Sequence, residues 1–244
     1  MTSRRLFDTP LIPAATAKQP TLKRILLSWS SGKDSAWSLH ILRQRGDYDV
    51  VGLLTSFNQT ADRVAMHAVR RSLVKLQAHA AGLPLWEVPL PYPCSNQDYE
   101  SAMRAACDRA VAEDIEGIAF GDLFLEDVRA YREEKLRGTG LQPIFPIWGT
   151  PTKALAMEMI DSGLKAKLTC IDTSQLDAGL AGRDFDHTLL SELPDSADPC
   201  GERGEFHSFV YAGPMLDSMI SVSVGEIRVE ERFAFADMVP STGE

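Results

Sequence analysis

The chain has 244 residues, 44% of them hydrophobic and 24% charged, enough to bury a substantial core in one large domain or two modest ones. Its formal net charge of -9 argues against a grip on extended nucleic acid, which takes clustered Lys and Arg to neutralise phosphates. No run approaches the ~18 apolar residues of a membrane span, and Cys94, Cys107, Cys170 and Cys200 lack paired metal-site spacing, so they read as reduced thiols of a cytoplasmic protein.

Residues 1–21, broken by Asp8, Pro10 and Pro13, read as a flexible tail and not a secretory signal. Ile25-Leu26-Leu27 predict a buried strand that ends in a Ser-rich turn at Ser28, and Ala36 to Arg45 a helix stopped by Gly46. Val50 to Leu54 reads as a second strand. Met66, Val69, Leu73, Leu76 and Ala80 recur at helical spacing between Arg63 and Ala81, with Gly82 as the stop. Leu85 to Leu90 gives a third strand, Tyr99 to Ala110 a helix, and Gly117 to Phe120 a fourth strand. Strands alternating with helices predict an α/β domain with an open parallel sheet over residues 22–141. Pro143, Pro146 and Pro151 mark the start of a smaller mixed α+β C-terminal subdomain, residues 142–240, expected to bind substrate. In it, Thr152 to Ser162 reads as a helix, Ala166 to Ile171 as a strand, and Ile220 to Val224 with Ile227 to Phe235 as an antiparallel pair turning at Gly225.

The string Ser28-Trp29-Ser30-Ser31-Gly32-Lys33-Asp34-Ser35 lies between the first strand and the first helix, where free N–H groups and the helix dipole favour an anion. Gly32 allows close backbone approach, Lys33 supplies a cation, and Ser30, Ser31 and Ser35 add hydroxyl donors. Together they predict a pyrophosphate cradle. It is neither the commoner phosphate loop, which needs Gly where Leu27 stands and Ser or Thr where Asp34 stands, nor the dinucleotide fingerprint.

Ser30 to Ser35 resembles the signature of the PP-loop ATP pyrophosphatase superfamily, with Ser31 where the usual form has Gly. The resemblance implies the adenine-nucleotide (HUP) α/β fold and ATP as a substrate. It also implies adenylation of a carbonyl or carboxylate with release of pyrophosphate, after which a nitrogen or sulfur nucleophile displaces AMP. Within that superfamily, Met66 to Arg70, Gly121 to Arg129, Pro143 to Trp148 and Asp198 to His207 resemble the diphthine-ammonia ligase family. The last string is the most specific of the four. This narrower resemblance implies an amide-forming ligase acting on a small-molecule or protein-borne carboxylate, with ammonia as the nitrogen donor. A homodimer is compatible with it.

Gly121-Asp122 follows a predicted parallel strand, at the sheet end where open α/β folds bind ligands. Asp122 and Asp34 are therefore candidate Mg²⁺ ligands, and Asp122 alternatively orients the attacking amine. Glu126, Asp127 and Arg129 start the next helix, where Asp127 and Arg129 are candidate substrate contacts or a solvated face. His67 and Arg70 read either as phosphate or substrate contacts or as solvated polar residues. Glu202 or Glu205 is a candidate general base, His207 an acid, base or hydrogen-bond donor, and Cys200 with Gly201 a binding turn whose thiol is a nucleophile or inert. Lys33, Asp122, Glu202, Glu205 and His207 form the predicted catalytic set. A tRNA-modifying PP-loop enzyme and a non-catalytic ATP sensor are the competing readings.

Overall fold

The structure is a computed structural model and describes residues 22–60, 62–64 and 69–241. The expected N-terminal tail and His67 lie outside the described residues. Strand β1 (Lys23–Ser28) leads into helix α1 (Lys33–Arg45), whose C-terminal stop is Gly46 with φ 64°. Strand β2 (Tyr48–Asn58) is followed by the short β3 (Arg63–Val64), helix α2 (Arg71–Ala80) and β4 (Leu85–Leu90). Helix α3 (Asn96–Ala112) starts at a capping box between Ser95 and Asp98 and precedes β5 (Gly117–Ala119). Helix α4 (Glu126–Leu136) and β6 (Gln142–Ile144) complete the first sheet.

Leu53 and Leu54 of β2 pair with β1 and with β4 at once, so those two strands must flank it on opposite edges. With β5 and β6 beyond β1, the parallel order is β4-β2-β1-β5-β6, and β3 adds a short antiparallel pair. The chain therefore turns from one half of the sheet to the other between β1 and β5. The crevice for a ligand lies at the C-terminal ends of those two strands. Gln142–Ile144, read from sequence as the head of the C-terminal subdomain, are the outer strand of this sheet.

Helix α5 (Thr152–Asp161) leads to a second, antiparallel sheet of β7 (Lys165–Asp172), β8 (Phe206–Ala212), β9 (Val222–Glu230) and β10 (Phe233–Pro240), in the order β8-β7-β10-β9. The short helix α6 (His187–Glu192) lies between β7 and β8. Residues of this sheet share one core with α1 and α2, including Leu39, Leu73, Phe206, Phe209 and Val210. On the opposite face, Leu26 and Ile118 pack with Cys107 and Ala110 of α3.

The structure corrects two sequence expectations. The predicted helix between Arg63 and Ala81 begins only at Arg71, because Arg70 is extended as its N-cap and Arg63–Val64 pair with β2. The C-terminal pair turns at Glu231, φ 54°, and not at Gly225. Gly225 instead lies inside β9, where the register shifts between Ala236 and Met238. A Cβ on it would stand 2.8 Å from Val239, so this glycine marks a bulge.

Candidate active site

The loop after β1 and the first turn of α1 form one wall of a cavity of about 230 Å³, lined by Ser28, Ser30, Gly32, Lys33, Asp34 and Ser35. The N-cap of α1 is Gly32, which has no side chain to cap the first turn, so the positive end of the dipole faces the cavity. The Lys33 N–H donates to the Ser208 hydroxyl at 3.2 Å, and the Ser35 hydroxyl donates back to the Gly32 carbonyl at 2.9 Å. Gly121 presses on the same turn. A Cβ there would stand 2.9 Å from the Ser35 nitrogen, so only glycine lets the end of β5 meet α1.

Lys33 is buried, and its ammonium is held by Asp34 at 2.8 Å and by the Cys200 carbonyl, 5.3 Å from the Phe206 ring centre. Burial works against this charge, but the acidic groups around it, Asp34 first and then Cys200 and Glu202, together outweigh that and hold the ammonium above the ordinary lysine value. The cavity floor therefore keeps a fixed cation.

Ser31 departs from its predicted role. Its φ is 72°, in the left-handed region that favours glycine, and its buried hydroxyl has no hydrogen-bond partner and does not line the cavity. Its carbonyl instead accepts from the Val210 N–H at 3.0 Å and from Gln77 Nε2 at 3.0 Å. Gln77, buried on α2, also donates to the Val210 carbonyl at 2.7 Å and accepts from the Trp29 indole at 2.8 Å. It clamps the loop to β8. Hydrophobic periodicity could not find it, because the helix exposes Leu76 and buries this amide.

The opposite wall is the segment 198–208, which contributes Gly201, Glu202, His207 and Ser208 to the cavity. Two buried carboxylates tie it. Asp198 accepts from the Cys200 N–H at 2.9 Å and the Thr152 hydroxyl at 2.7 Å, while Glu205 accepts from the N–H groups of Asp198 at 2.7 Å and Arg203 at 2.9 Å. Glu205 does not line the cavity and faces its own loop, an arrangement for positioning and not for proton transfer to a ligand. Cys200 is likewise turned inward. Its thiol donates to the Thr152 carbonyl at 3.4 Å, and burial pushes its pKa far up, which keeps it an inert thiol.

Glu202 accepts from the Leu123 N–H at 2.8 Å, and burial pushes its carboxyl up to about 7 against that hydrogen bond. His207 is pulled down to about 4 by burial and by Lys33, so its imidazole is neutral at neutral pH. An acid-base group poised near 7 therefore sits across the cavity from the cationic floor. Asp122 lines the same space and is raised by burial. Arg132 of α4 stands 3.5 Å away, a separation that leaves Asp122 Oδ2 and Arg132 Nε buried without hydrogen bonds.

The remaining predicted contacts lie elsewhere. Arg70 hydrogen-bonds Asp237 of β10 at 2.5 Å, and Asp127 is exposed on the first turn of α4. Arg129 pairs with Glu133 at 2.8 Å and lies 4.9 Å from the Phe145 ring. None of the three lines the cavity. Arg132, Ser208 and Gly121 join it without having been singled out as site residues. Arg132 stands three residues beyond Arg129, on the same helix as the acidic start, and that helical spacing was its signal.

No group of three or more His, Cys, Asp or Glu able to hold a metal is present among the described residues. Asp122 Oδ2 has no hydrogen bond and is paired with Arg132 at 3.5 Å, so it fits one bond to a hard cation, with phosphate and water as the other ligands, only by turning from that guanidinium.

A model of the diphthamide synthase N-terminal domain matches residues 23–143, and one of the diphthamide synthase C-terminal domain matches residues 151–239. Diphthine–ammonia ligases from Bos taurus and Homo sapiens are each 25% identical over 234 residues, 87% of this chain and 88% of theirs. The diphthine–ammonia ligase of Schizosaccharomyces pombe is 24% identical over 81% of this chain but 36% of its own length. Among solved structures, the U34-tRNA thiolase NcsA from Methanococcus maripaludis, with its [4Fe-4S] cluster, aligns over 57% of each chain at 15% identity with a TM-score of 0.36.

Proposed function

The chain belongs to the diphthamide synthase family, and from that premise we propose that it is an AMP-forming ligase that uses ATP to activate a carboxylate for attack by ammonia. The observation that carries this reading is the pairing, across one cavity, of a helix-dipole and lysine cradle with the Glu202 carboxyl raised to about 7. The cradle suits the β and γ phosphates. Gly32 opens the helix dipole to them, Ser28 and Ser30 present hydroxyl donors, Ser35 braces the turn through the Gly32 carbonyl, and Lys33 offsets the charge that builds on pyrophosphate as it leaves.

An acceptor carboxylate oxygen attacks the α phosphorus, the α–β bond breaks, and pyrophosphate departs with the electron pair. Ammonia then attacks the acyl carbon of the mixed anhydride, and AMP leaves. Glu202, as carboxylate, takes the proton that the nitrogen loses. A base with a pKa near 7 is the stronger acceptor for having been desolvated. His207 stays neutral and serves as a hydrogen-bonding group. Asp198 and Glu205 position the loop that carries Glu202. Asp122 and Asp34 would hold Mg²⁺ on the phosphates, where it supplies charge neutralisation.

Product analysis tests the proposal. With ATP, Mg²⁺, ammonium and a carboxylate acceptor, AMP and pyrophosphate are expected from wild type and not from Lys33→Ala. Diphthine, the acceptor in the relatives' name, is the first to try. ADP and phosphate, or ATP binding without turnover on any acceptor, would overturn the ligase in favour of another ATP-cleaving activity or a sensor.

A further inference from the structure

Helices α3 and α4 cover the second face of the parallel sheet incompletely. Of its 17 residues α3 buries only Cys107 and Ala110, and α4 buries only Leu136. A helix that closes a sheet normally buries a continuous apolar stripe. Here the two helices leave a cavity of about 360 Å³ between them, with Ile118 and Phe120 as its floor and Tyr99, Met103 and Tyr131 in its walls. That volume lies within the range of small-molecule sites, on the order of 300–1,000 Å³.

Phe120 and Arg132 line this cavity and the pyrophosphate cavity alike, so the two share a wall. Arg132 lies 5.0 Å over the Phe120 ring, and its buried Nε has no hydrogen-bond partner. At the inner end, then, a guanidinium paired with Asp122 at 3.5 Å, without a hydrogen bond from its Nε, stands at the junction with the phosphates. The outer lining carries Arg104, which pairs with no carboxylate among the described residues, and Lys135, held by Glu100 at 2.6 Å. Arg132 is offset by Asp122 and Lys135 by Glu100, so Arg104 leaves one cation in excess, which favours an anion, and the rings and methylenes between them favour an apolar body.

We propose that the α3–α4 cavity is the acceptor site and takes a small carboxylic acid with an apolar body, its carboxylate bonded to Arg132 at the wall shared with the phosphates. This rests on the ligase reading and names its substrate class. It also explains why an apolar gap lies beside a polar, phosphate-sized space: the two halves of the reaction need opposite solvation.

The test uses 4-phenylbutyrate and acetate as probes on the full chain, with binding read by calorimetry and ligand-observed NMR. The expected result is at least tenfold tighter binding of 4-phenylbutyrate, undiminished by saturating ATP. Met103→Trp, which fills the cavity, should abolish that preference while ATP binding persists. Ser101→Trp, at an exposed lining position, should do the same if the first variant fails to fold. Equal binding of the two acids, displacement of 4-phenylbutyrate by ATP, or unchanged binding in either folded variant would overturn the proposal. AMP release with ammonium separates the two readings. Release with a protein-borne carboxylate, with no binding of 4-phenylbutyrate, keeps the ligase and removes this acceptor site. Binding as expected with no AMP from any acceptor keeps the carboxylate-binding cavity and removes the ligase.

Discussion

Ser31 carries a side chain where the backbone asks for none. A non-glycine residue at φ 72° costs about 1 kcal/mol, and its buried hydroxyl finds no partner. Ser31→Gly is therefore expected to stabilise the fold by about 1 kcal/mol, read as a rise in Tm of ~2–4 °C, with ATP binding retained. A loss of ATP affinity would mean that the hydroxyl contacts phosphate after all. Glu202 is tested by pH. Its carboxyl, raised to about 7 by burial, is half protonated there, so kcat/KM should climb as pH rises through 7 and then level off. Glu202→Gln should lose roughly 10²-fold in rate and, with it, that limb of the profile. At this scale the place of Gly32 and Lys33 at the turn from β1 into α1 was legible, since residue type and position between strand and helix suffice. It could not separate Glu202 from Glu205, which differ only in which way a folded loop turns them.

The segment 198–205 behaves as an element of its own, held by carboxylates and not by regular structure. Glu205 supplies acceptors to two N–H groups of that loop. Glu205→Ala leaves the buried Asp198 N–H unpaired, at roughly 1–3 kcal/mol, releases the Arg203 N–H and frees the loop that carries Glu202. The expected outcome is a lowered Tm together with a fall in kcat, while the variant's remaining activity keeps the same pH limb. Loss of that limb would place Glu205 among the proton-transfer groups instead. Regular elements were the most legible part: β4 spans Leu85–Leu90, the third strand read from the sequence, and α1 stops at Gly46. Helix α2 was read too long, because Val69 keeps the apolar spacing although its carbonyl accepts from the Val64 N–H, ahead of the helix that starts at Arg71.

At the scale of the molecule, Asp237 of β10 ties the second sheet to Arg63 of β3 at 2.9 Å and to Arg70 before α2 at 2.5 Å. Burial pushes the Asp237 carboxyl up, but the two guanidinium partners outweigh it and hold it below the usual carboxylate range. A depressed folded pKa stabilises above the unfolded value of about 3.9 and ceases to do so as pH falls through the folded value. Asp237→Asn should thus cost roughly 2 kcal/mol at pH 7, and its deficit relative to wild type should shrink below about pH 4 in denaturant titrations. An equal deficit at both pH values would show the loss to be one of packing.

The sequence by itself determined the alternation of strands and helices, the parallel sheet and the glycine-led start of α1 after β1, because hydrophobic period and glycine placement act over a few residues. Only the tertiary structure decided which polar groups meet. Gln77 clamps Ser31 to β8, Arg70 serves Asp237 and no ligand, and Arg132 joins two cavities, although each is far in sequence from what it touches. The physical reason is that burial and hydrogen bonding are properties of an environment assembled from the whole chain, while a local pattern records only which face of each element avoids water.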